Sequence, residues 1–477
     1  MPSNFFQGKS KESAARIESF RVFFYIRSMK KIIVVGSGGR EHAIAWRLAQ
    51  SPLVERIVCV PGNGGSSTEE KCSNVPLEAA KGLPGNPYVE IAKKEGCDFA
   101  VIGPEDPLAV GLADEFWKAG IPCVGPKKAG AQLEASKDLA KAFMKKYNVA
   151  APASETFTDK AAAVEYIKKR GAPIVLKADG LAAGKGVVVA KTLDEAIAAV
   201  DDIMTSGRVG DAGKKLVVED YLAGIEMSVL AAVSVTPESA KEGKAAILPF
   251  LPARDHKRLE DGAKGPNTGG MGAVCPLSDV TPAIMEEFDK NILQPTLRGL
   301  VEEGFDYRGF IFFGVMITKD GPKLLEYNVR LGDPETQAVL PLMDFDFAAL
   351  CQAIVDGSLK DFDMKWKKEF AVAPVAVSGG YPGSYKKGMA ISIDEDLVKK
   401  NGAKVFIAGA FEERRHEHDA FSQNELFTSG GRVLAVCARA STFDEAWKKA
   451  YDAMKGVHFD GMFYRKDIGL PGAAVSD

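Results

Sequence analysis

Long apolar runs are missing from this 477-residue chain, and none approaches the ~20 residues that a helix needs to cross a bilayer. Paired cysteines are missing as well. The seven cysteines are scattered, odd in number and never spaced C-x-x-C, which suits a reducing cytoplasm better than a disulfide framework. Nor is there an excess of positive charge: 61 basic residues face 64 acidic ones, and the net charge of −3 argues against a nucleic-acid-binding surface. No Ser–His–Asp or Cys–His set suggests itself. No internal repeat or low-complexity segment stands out.

What is present is the composition of a soluble globular protein, 46% hydrophobic and 26% charged, long enough for three or four domains. Residues 1–28 read differently from the rest. VFFYI (22–26) is too short for a membrane span or a signal-peptide core, and Glu12 and Glu18 count against a transit peptide. Met29 followed by KKIIVVG looks like the natural start of a first strand, so 1–28 is read as a disordered extension.

From 31 to about 125, the short apolar runs KIIVV, RIVCV and FAVIG alternate with helical segments such as REHAIAWRLAQ and PLAVGLADEFWKAG. That rhythm predicts an α/β, Rossmann-like N-terminal domain with a parallel sheet. SKDLAKAFMKKYNV (136–149) reads as a helix capped by Ser136, and AAPAS as a linker. PIVLKADGLAAGKGVVVAK (173–191) is strand, glycine-rich loop and strand; LDEAIAAVDDIM is a helix and KLVVEDYL a strand. Strands at 226–234 and 245–251, a polar loop at 253–273, a long helix at 283–303 and strands at 309–318 and 323–330 follow. After about 365 the pattern is that of a small α+β domain.

Four stretches carry chemistry. In GSGGREH (36–42) a glycine-rich turn joins a strand to a helix and presents backbone N–H groups to an anion. The third glycine of a dinucleotide fingerprint would fall at Glu41, and RIVCV ends in Val60 and Pro61 with no acid for a ribose, so the pattern opposes NAD. A phosphate-bearing substrate fits Gly38, Gly39, Arg40 and Glu41 better, with PGNGG, including Gly62 and Asn63, as a second wall. KADGLAAGKGVVVA (177–190) is not a Walker A loop, because Gly186 follows Lys185 where Ser or Thr is required. A hairpin of this kind, with Lys177, Gly184, Lys185 and Gly186, closes over a triphosphate. In VVEDYL, Glu219 and Tyr221 end a strand whose backbone is able to read an adenine, and Glu226 is placed to accept ribose hydroxyls.

The fourth stretch is LLEYNVRLGDPETQAV (324–339). A strand has a side-chain period of two, so Glu326, Asn328 and Arg330 emerge on one face. Glu326 and Asn328 supply oxygen ligands for magnesium, and Arg330 steadies a phosphoryl oxygen. Asp333 and Glu335 lie beyond the strand, where a substrate ammonium could sit. The loop PARDHKRLEDGAKGPNTGGMGAV (252–274) adds Asp255, His256 and Lys257, and its glycines Gly270 and Gly272 allow a ligand close to the backbone.

Taken together, GSGGREHA, PGN, IGPEDPL, QLEASK, LKADGLAAGKGV, DHKR…GPNTGGMGA, EYNVRLGDPETQ, SGGRV and FDGMFYRKDIG resemble, in order and from about residue 30 to 469, the glycinamide ribonucleotide synthetase family of ATP-grasp enzymes. The resemblance implies a cytoplasmic, monomeric ligase that joins glycine to 5-phosphoribosylamine with ATP, in purine biosynthesis, by way of an acyl phosphate. It implies ATP contacts from Lys137 and Lys177, Mg²⁺ or Mn²⁺ at Glu326 and Asn328, charge stabilisation by Arg330, and glycine or amine oriented by Asp255 and Asp333. The GSGGRE turn and PGN would take the phosphoribosyl group, and His42 and His256 are candidates for substrate contacts. It also implies domains at 29–131, 132–362 (ATP-grasp, with a mobile lid at about 152–222) and 363–477. Two departures stand out: Gly64, Gly65 and Ser66 replace the usual Ala-Gly-Thr, and Tyr327 and Leu331 replace the two phenylalanines of the family's Glu-Phe-Asn-x-Arg-Phe, at packing positions where the chemistry is expected to survive. The alternative is another ATP-grasp carboxylate–amine ligase. HEHD (416–419) looks metal-like but reads as a solvated loop within EERRHEHD. Deletion of 1–28 is expected to leave ATP-dependent turnover unchanged; a clear loss in a steady-state assay would restore a role for the extension.

Overall fold

The computed structural model describes residues 31–181, 186–413 and 425–473, so the 1–28 extension, Gly184, Lys185 and the HEHD run lie outside the described residues. Strands Lys31–Gly36, Arg56–Pro61, Cys72–Asn74, Phe99–Ile102 and Cys123–Val124 form one parallel sheet. The central strands are buried on both faces, which is why they read as continuous apolar runs. Strand Lys31–Gly36 lies between Arg56–Pro61 and Phe99–Ile102, so the strand order reverses beside it. The loops after these three strands, beginning at Ser37, Gly62 and Gly103, therefore open into one crevice at the carboxyl edge of the sheet. The single helix expected over PLAVGLADEFWKAG is two, Glu105–Val110 and Leu112–Lys118, because Gly111 at φ 96° breaks it.

Residues 154–220 build a separate body. Strands Ser154–Phe157, Leu216–Asp220, Ile174–Ala178 and Val187–Ala190 pair antiparallel in that spatial order, backed by helices Lys160–Arg170 and Leu193–Met204. Ile167, Ile174, Leu176, Val200, Ile203, Leu216 and Val218 form a core closed on itself.

The central sheet is antiparallel, in the order Ala246–Pro249, Ile225–Val235, Tyr307–Thr318, Gly321–Asn328. The long helix expected at 283–303 is one run that widens into a π-turn over Asp289–Leu293, just ahead of Pro295, which has no N–H to give. The stretch 253–273, expected as loop, contains strands Arg254–Asp255, Arg258–Glu260 and Lys264–Asn267 and leads into Gly272–Cys275. Gly272–Cys275 pairs with Phe370–Val377, so one five-stranded sheet runs across the boundary expected at 363. Four residues beside a polar run carry too little periodicity to announce a strand; their partner across the chain makes them one. Among the described residues no helix is long and apolar enough to cross a membrane.

Because the 154–220 core is closed on itself, damage there should stay local. Leu176→Ala, at a fully buried position, is expected to cost ~2–5 kcal/mol. Hydrogen exchange should speed up in the strands of this body and stay slow in Tyr307–Thr318; equal loss in both would contradict the separation.

Candidate active site

Strand Gly321–Asn328 forms an edge of the central sheet and carries a β-bulge. Its ladder passes from Gly314↔Glu326 to Val315↔Leu324, leaving Leu325 as the extra residue. Leu324 and Tyr327 would face opposite ways in a regular strand, yet both are buried in the same core; the bulge resets the phase. Beyond it Tyr327, Val329 and Leu331 are buried, while Glu326, Asn328 and Arg330 emerge together half-buried, Arg330 two residues past the paired strand. Tyr327 and Leu331 are thus packing positions, and the Tyr327 hydroxyl shares a 2.7 Å hydrogen bond with Thr296.

The Leu325 carbonyl accepts from Lys141 Nζ at 3.1 Å and from Lys177 Nζ at 3.3 Å. The same two ammonium groups flank the buried Glu219 carboxylate, Lys141 3.1 Å from Oε1 and Lys177 3.0 Å from Oε2. Burial lowers the Lys141 pKa to about 8, against the pull of Glu219. Lys137 begins the helix Lys137–Lys146 and donates to the Gly180 carbonyl at 3.0 Å. Ser136 caps that helix, as its sequence predicts, and also donates to Asp179. Gly186 is buried and its carbonyl accepts from Ala178 N. Tyr221 lies just past the strand Leu216–Asp220 and is half-buried.

On the exposed side of this group, Lys257 donates to Glu226 at 2.5 Å. Burial opposes the Lys257 charge, but Glu226, Glu326 and Asp255 together raise its pKa. Burial likewise opposes the Glu326 charge, and Lys177, Lys257, Lys137 and Arg330 overcome it, holding the carboxyl below its usual range. Asn328 Oδ1 accepts from Arg330 at 3.2 Å. An ionised carboxylate and an amide oxygen on one face form the hard-donor set that a magnesium ion completes with phosphate oxygens. Among the described residues no group of three or more His, Cys, Asp or Glu has a metal-binding arrangement, so the donor set fits a cation that shares its ligands with a substrate.

Arg330 itself is held from the N-terminal side. Its Nε is 3.2 Å from Glu105 and its Nη2 2.8 Å from Glu134, whose second oxygen accepts from Val329 N at 2.7 Å. Next to it, Asp255 and Glu335 form a carboxylate pair. Burial, and for Asp255 the adjacent Glu335, push both carboxyls above their usual range. Ser228 donates to Glu335, whereas the buried Oδ1 of Asp255 has no hydrogen-bond partner among the described residues. Gly270, at φ 116°, lies where a Cβ would come within 2.5 Å of Asp255 and Pro334, so it serves this packing directly.

The GSGG turn meets the same strand end. Asp333 accepts from Arg40 N at 3.1 Å and from Gln337 at 2.9 Å. The Arg40 guanidinium donates to the Leu331 carbonyl at 3.0 Å and to Glu41 at 2.6 Å, and Glu41 also accepts from Gly38 N at 2.6 Å. At the start of the helix Gly39–Ala49, the amide of the N-cap Gly38 is thus partnered by Glu41 and that of Arg40 by Asp333. Asn63 is spent on structure: Oδ1 accepts from the amides of Gly65 and Ser66, and Nδ2 donates to the carbonyls of Ser37 and Ile407. Gly62 takes φ 73° to make that turn.

Two expectations need correction. His42 is buried, Nδ1 accepting from Ile407 N and Nε2 facing Glu69 at 2.8 Å. His256 is buried between the Gly272 carbonyl and the amide of Gly469, with Gly272 lying in turn beside Ala373 and Ile468. Both ring nitrogens of each histidine are occupied, so these are internal struts rather than substrate contacts. Sequence reasoning also assigned no role to Glu105, Glu134, Lys141 or Arg432. The first two stand inside IGPEDPL and QLEASK, and Arg432 inside SGGRV, where it donates to the Gly269 and Asp333 carbonyls; Lys141 carried no signal of its own.

A parallel-sheet domain, a four-stranded antiparallel unit backed by two helices and a central antiparallel sheet make up the ATP-grasp architecture. The family models agree: phosphoribosylglycinamide synthetase N domain over 30–134, ATP-grasp (A) domain over 135–336 and C domain over 371–471. The chain belongs to the phosphoribosylglycinamide synthetase family. Phosphoribosylamine–glycine ligase of Clostridium acetobutylicum is 49% identical over 92% of this chain and 99% of its own length. That of Neisseria meningitidis is 45% identical over 92% and 98%. The crystal structure of the Thermotoga maritima phosphoribosylamine–glycine ligase matches with a TM-score of 0.74 at 32% identity, covering 92% of this chain and all of that one. A biotin carboxylase domain solved with MgADP shares the fold at 15% identity and a TM-score of 0.66.

Burial lowers the His256 pKa to about 3, so the native state holds fewer protons on this ring than the unfolded chain below pH ~6.5. Its contribution to stability should fall as the pH drops from ~6.5 towards 3. Its ring resonances should stay those of a neutral imidazole at pH 5; titration near 6.5 would overturn the strut assignment.

Proposed function

We propose that this ligase joins glycine to 5-phosphoribosylamine in the cytoplasm, in de novo purine biosynthesis, by way of a glycyl phosphate. The observation that carries the reading is the convergence at residues 326–335. There the phosphate lysines, the crevice of the parallel sheet and the Asp255–Glu335 pair all meet one strand end.

Lys137 and Lys177 offset the triphosphate charge, with the backbone of the glycine hairpin, Gly184, Lys185 and Gly186 included, over the phosphates. The backbone around Glu219 and Tyr221 reads the adenine, and Glu226 takes the ribose hydroxyls, exchanging Lys257 for them. Glu326 and Asn328 would hold Mg²⁺ or Mn²⁺, which supplies charge neutralisation at the phosphates when bound. A glycine carboxylate oxygen attacks the γ-phosphorus and ADP leaves; Arg330 faces the charge of the transferred group. The amine of phosphoribosylamine then attacks the acyl carbon, phosphate departs with the bonding electrons, and the nitrogen gives up a proton. Asp255, with an unpartnered oxygen and a raised proton affinity, and Asp333 orient glycine and the amine. Gly38, Gly39, Arg40 and Glu41, facing Gly62 and Asn63, surround the phosphoribosyl group, and Gly270 and Gly272 keep the acceptor loop close.

ADP release is expected only when glycine and phosphoribosylamine are both present, with glycinamide ribonucleotide detected by mass. Release with other acid–amine pairs alone would leave an ATP-grasp ligase of another substrate. Glu326→Ala should reduce turnover by at least ~100-fold, beyond what loss of an outer metal partner does, with an unchanged circular dichroism spectrum; near-normal turnover would refute its role.

A further inference from the structure

Lys141 is a buried lysine that touches no part of the proposed substrate space. It stands one helical turn after Lys137 on the helix Lys137–Lys146, so it projects from the same face. Its ammonium meets Glu219 Oε1 at 3.1 Å and the Leu325 carbonyl at 3.1 Å. Lys177 occupies the mirror position, 3.0 Å from Glu219 Oε2 and 3.3 Å from the same carbonyl. Two cations, one carboxylate and one carbonyl thus form a closed set with a net charge of +1. Three separate elements supply it: the helix, the lid sheet with Lys177 and Glu219, and the bulge of the strand bearing Glu326.

An ammonium has three hydrogens. With Lys141 in place, Lys177 donates to Leu325 and shares the Glu219 carboxylate as one of two ion-pair partners, so it keeps an unneutralised share of its charge. Without Lys141, Lys177 is the one remaining cation paired with the Glu219 carboxylate and the bulge carbonyl among the described residues. Glu219 would then neutralise Lys177 and draw it away from the phosphates. Burial strengthens this competition, since Glu219 is 2% exposed and has little water to turn to.

We propose that Lys141 is a positioning residue for the nucleotide: by sharing Glu219 it keeps Lys177 charged and directed at the phosphates. The proposal rests on the reading of Lys177 as a phosphate ligand, and it makes Glu219 a carboxylate that competes with phosphate for that lysine. Lys141 also holds the Leu325 carbonyl, but only its effect through Glu219 is reversed by removing the Glu219 charge, which a merely structural role does not require.

The test is Mg-ADP affinity of the full chain by titration calorimetry. Lys141→Met is expected to weaken binding about tenfold and to leave the KM for glycine within about twofold. Adding Glu219→Gln to Lys141→Met should recover most of that loss, because the competing charge is gone. Wild-type affinity in Lys141→Met, or equal losses in the single and double variants, would overturn the proposal. If the single variant does not fold, Glu219→Gln is compared with the double variant; the two should bind alike, and a further tenfold loss in the double would overturn it. Lys177→Met separates the two claims. Unchanged affinity there overturns the phosphate reading of Lys177, whereas a loss there without one at Lys141→Met overturns only the positioning role.

Discussion

Three stretches far apart in the chain meet on one guanidinium. Arg330 binds Glu105 from the crevice of the parallel sheet, Glu134 from the helix that leads into the ATP-grasp region, and Asn328 from its own strand. Glu134 closes the ring by accepting from Val329 N. Arg40 adds a second tie, from the GSGG turn to the Leu331 carbonyl and to Glu105 at 3.5 Å. This seam sets where the end of the strand Gly321–Asn328 lies relative to the crevice of the parallel sheet. Such a set is poor evidence of net stability, since desolvating the charges offsets their attraction. What it does supply is register: the buried Glu134 and the half-buried Arg330 fix where the strand end meets the helix before it.

The lid is attached differently. Its core is its own, and its ties to the rest are polar: Asp179 at the start of the helix Lys137–Lys146, Gly180 on Lys137, and Glu219 and Lys177 around Lys141 and Leu325. The C-terminal module is the opposite case. Its main sheet is completed by Gly272–Cys275, Asn63 donates to its Ile407 carbonyl, and Arg432 donates to the Asp333 and Gly269 carbonyls. It is built into the acceptor side of the site.

Much of this was legible beforehand. Alternation of short apolar runs with helices announced the parallel sheet, the glycine hairpin lay between two strands as read, and Glu326, Asn328 and Arg330 do share a face. What was not legible is which face they take: a strict period of two from the buried Leu324 would have turned them inward and Tyr327 outward, and the bulge at Leu325 reverses that. The histidines misled because a polar residue among site motifs looks available, while its availability depends on what packs over it. Lys141 was passed over for the converse reason, since a lysine within an amphipathic helix usually reaches solvent.

By itself the sequence determined the order of elements, the caps and turns, and which residue types could meet a phosphate, a cation or an amine, because these follow from local periodicity and side-chain chemistry. Only the tertiary structure decided which charges face one another, that Glu219 is shared by two lysines, that Leu325 bulges, and that the C-terminal sheet borrows strands from the middle of the chain. Those outcomes depend on burial and on pairing between segments hundreds of residues apart, and Coulomb and desolvation energies are set by distances that no local pattern encodes.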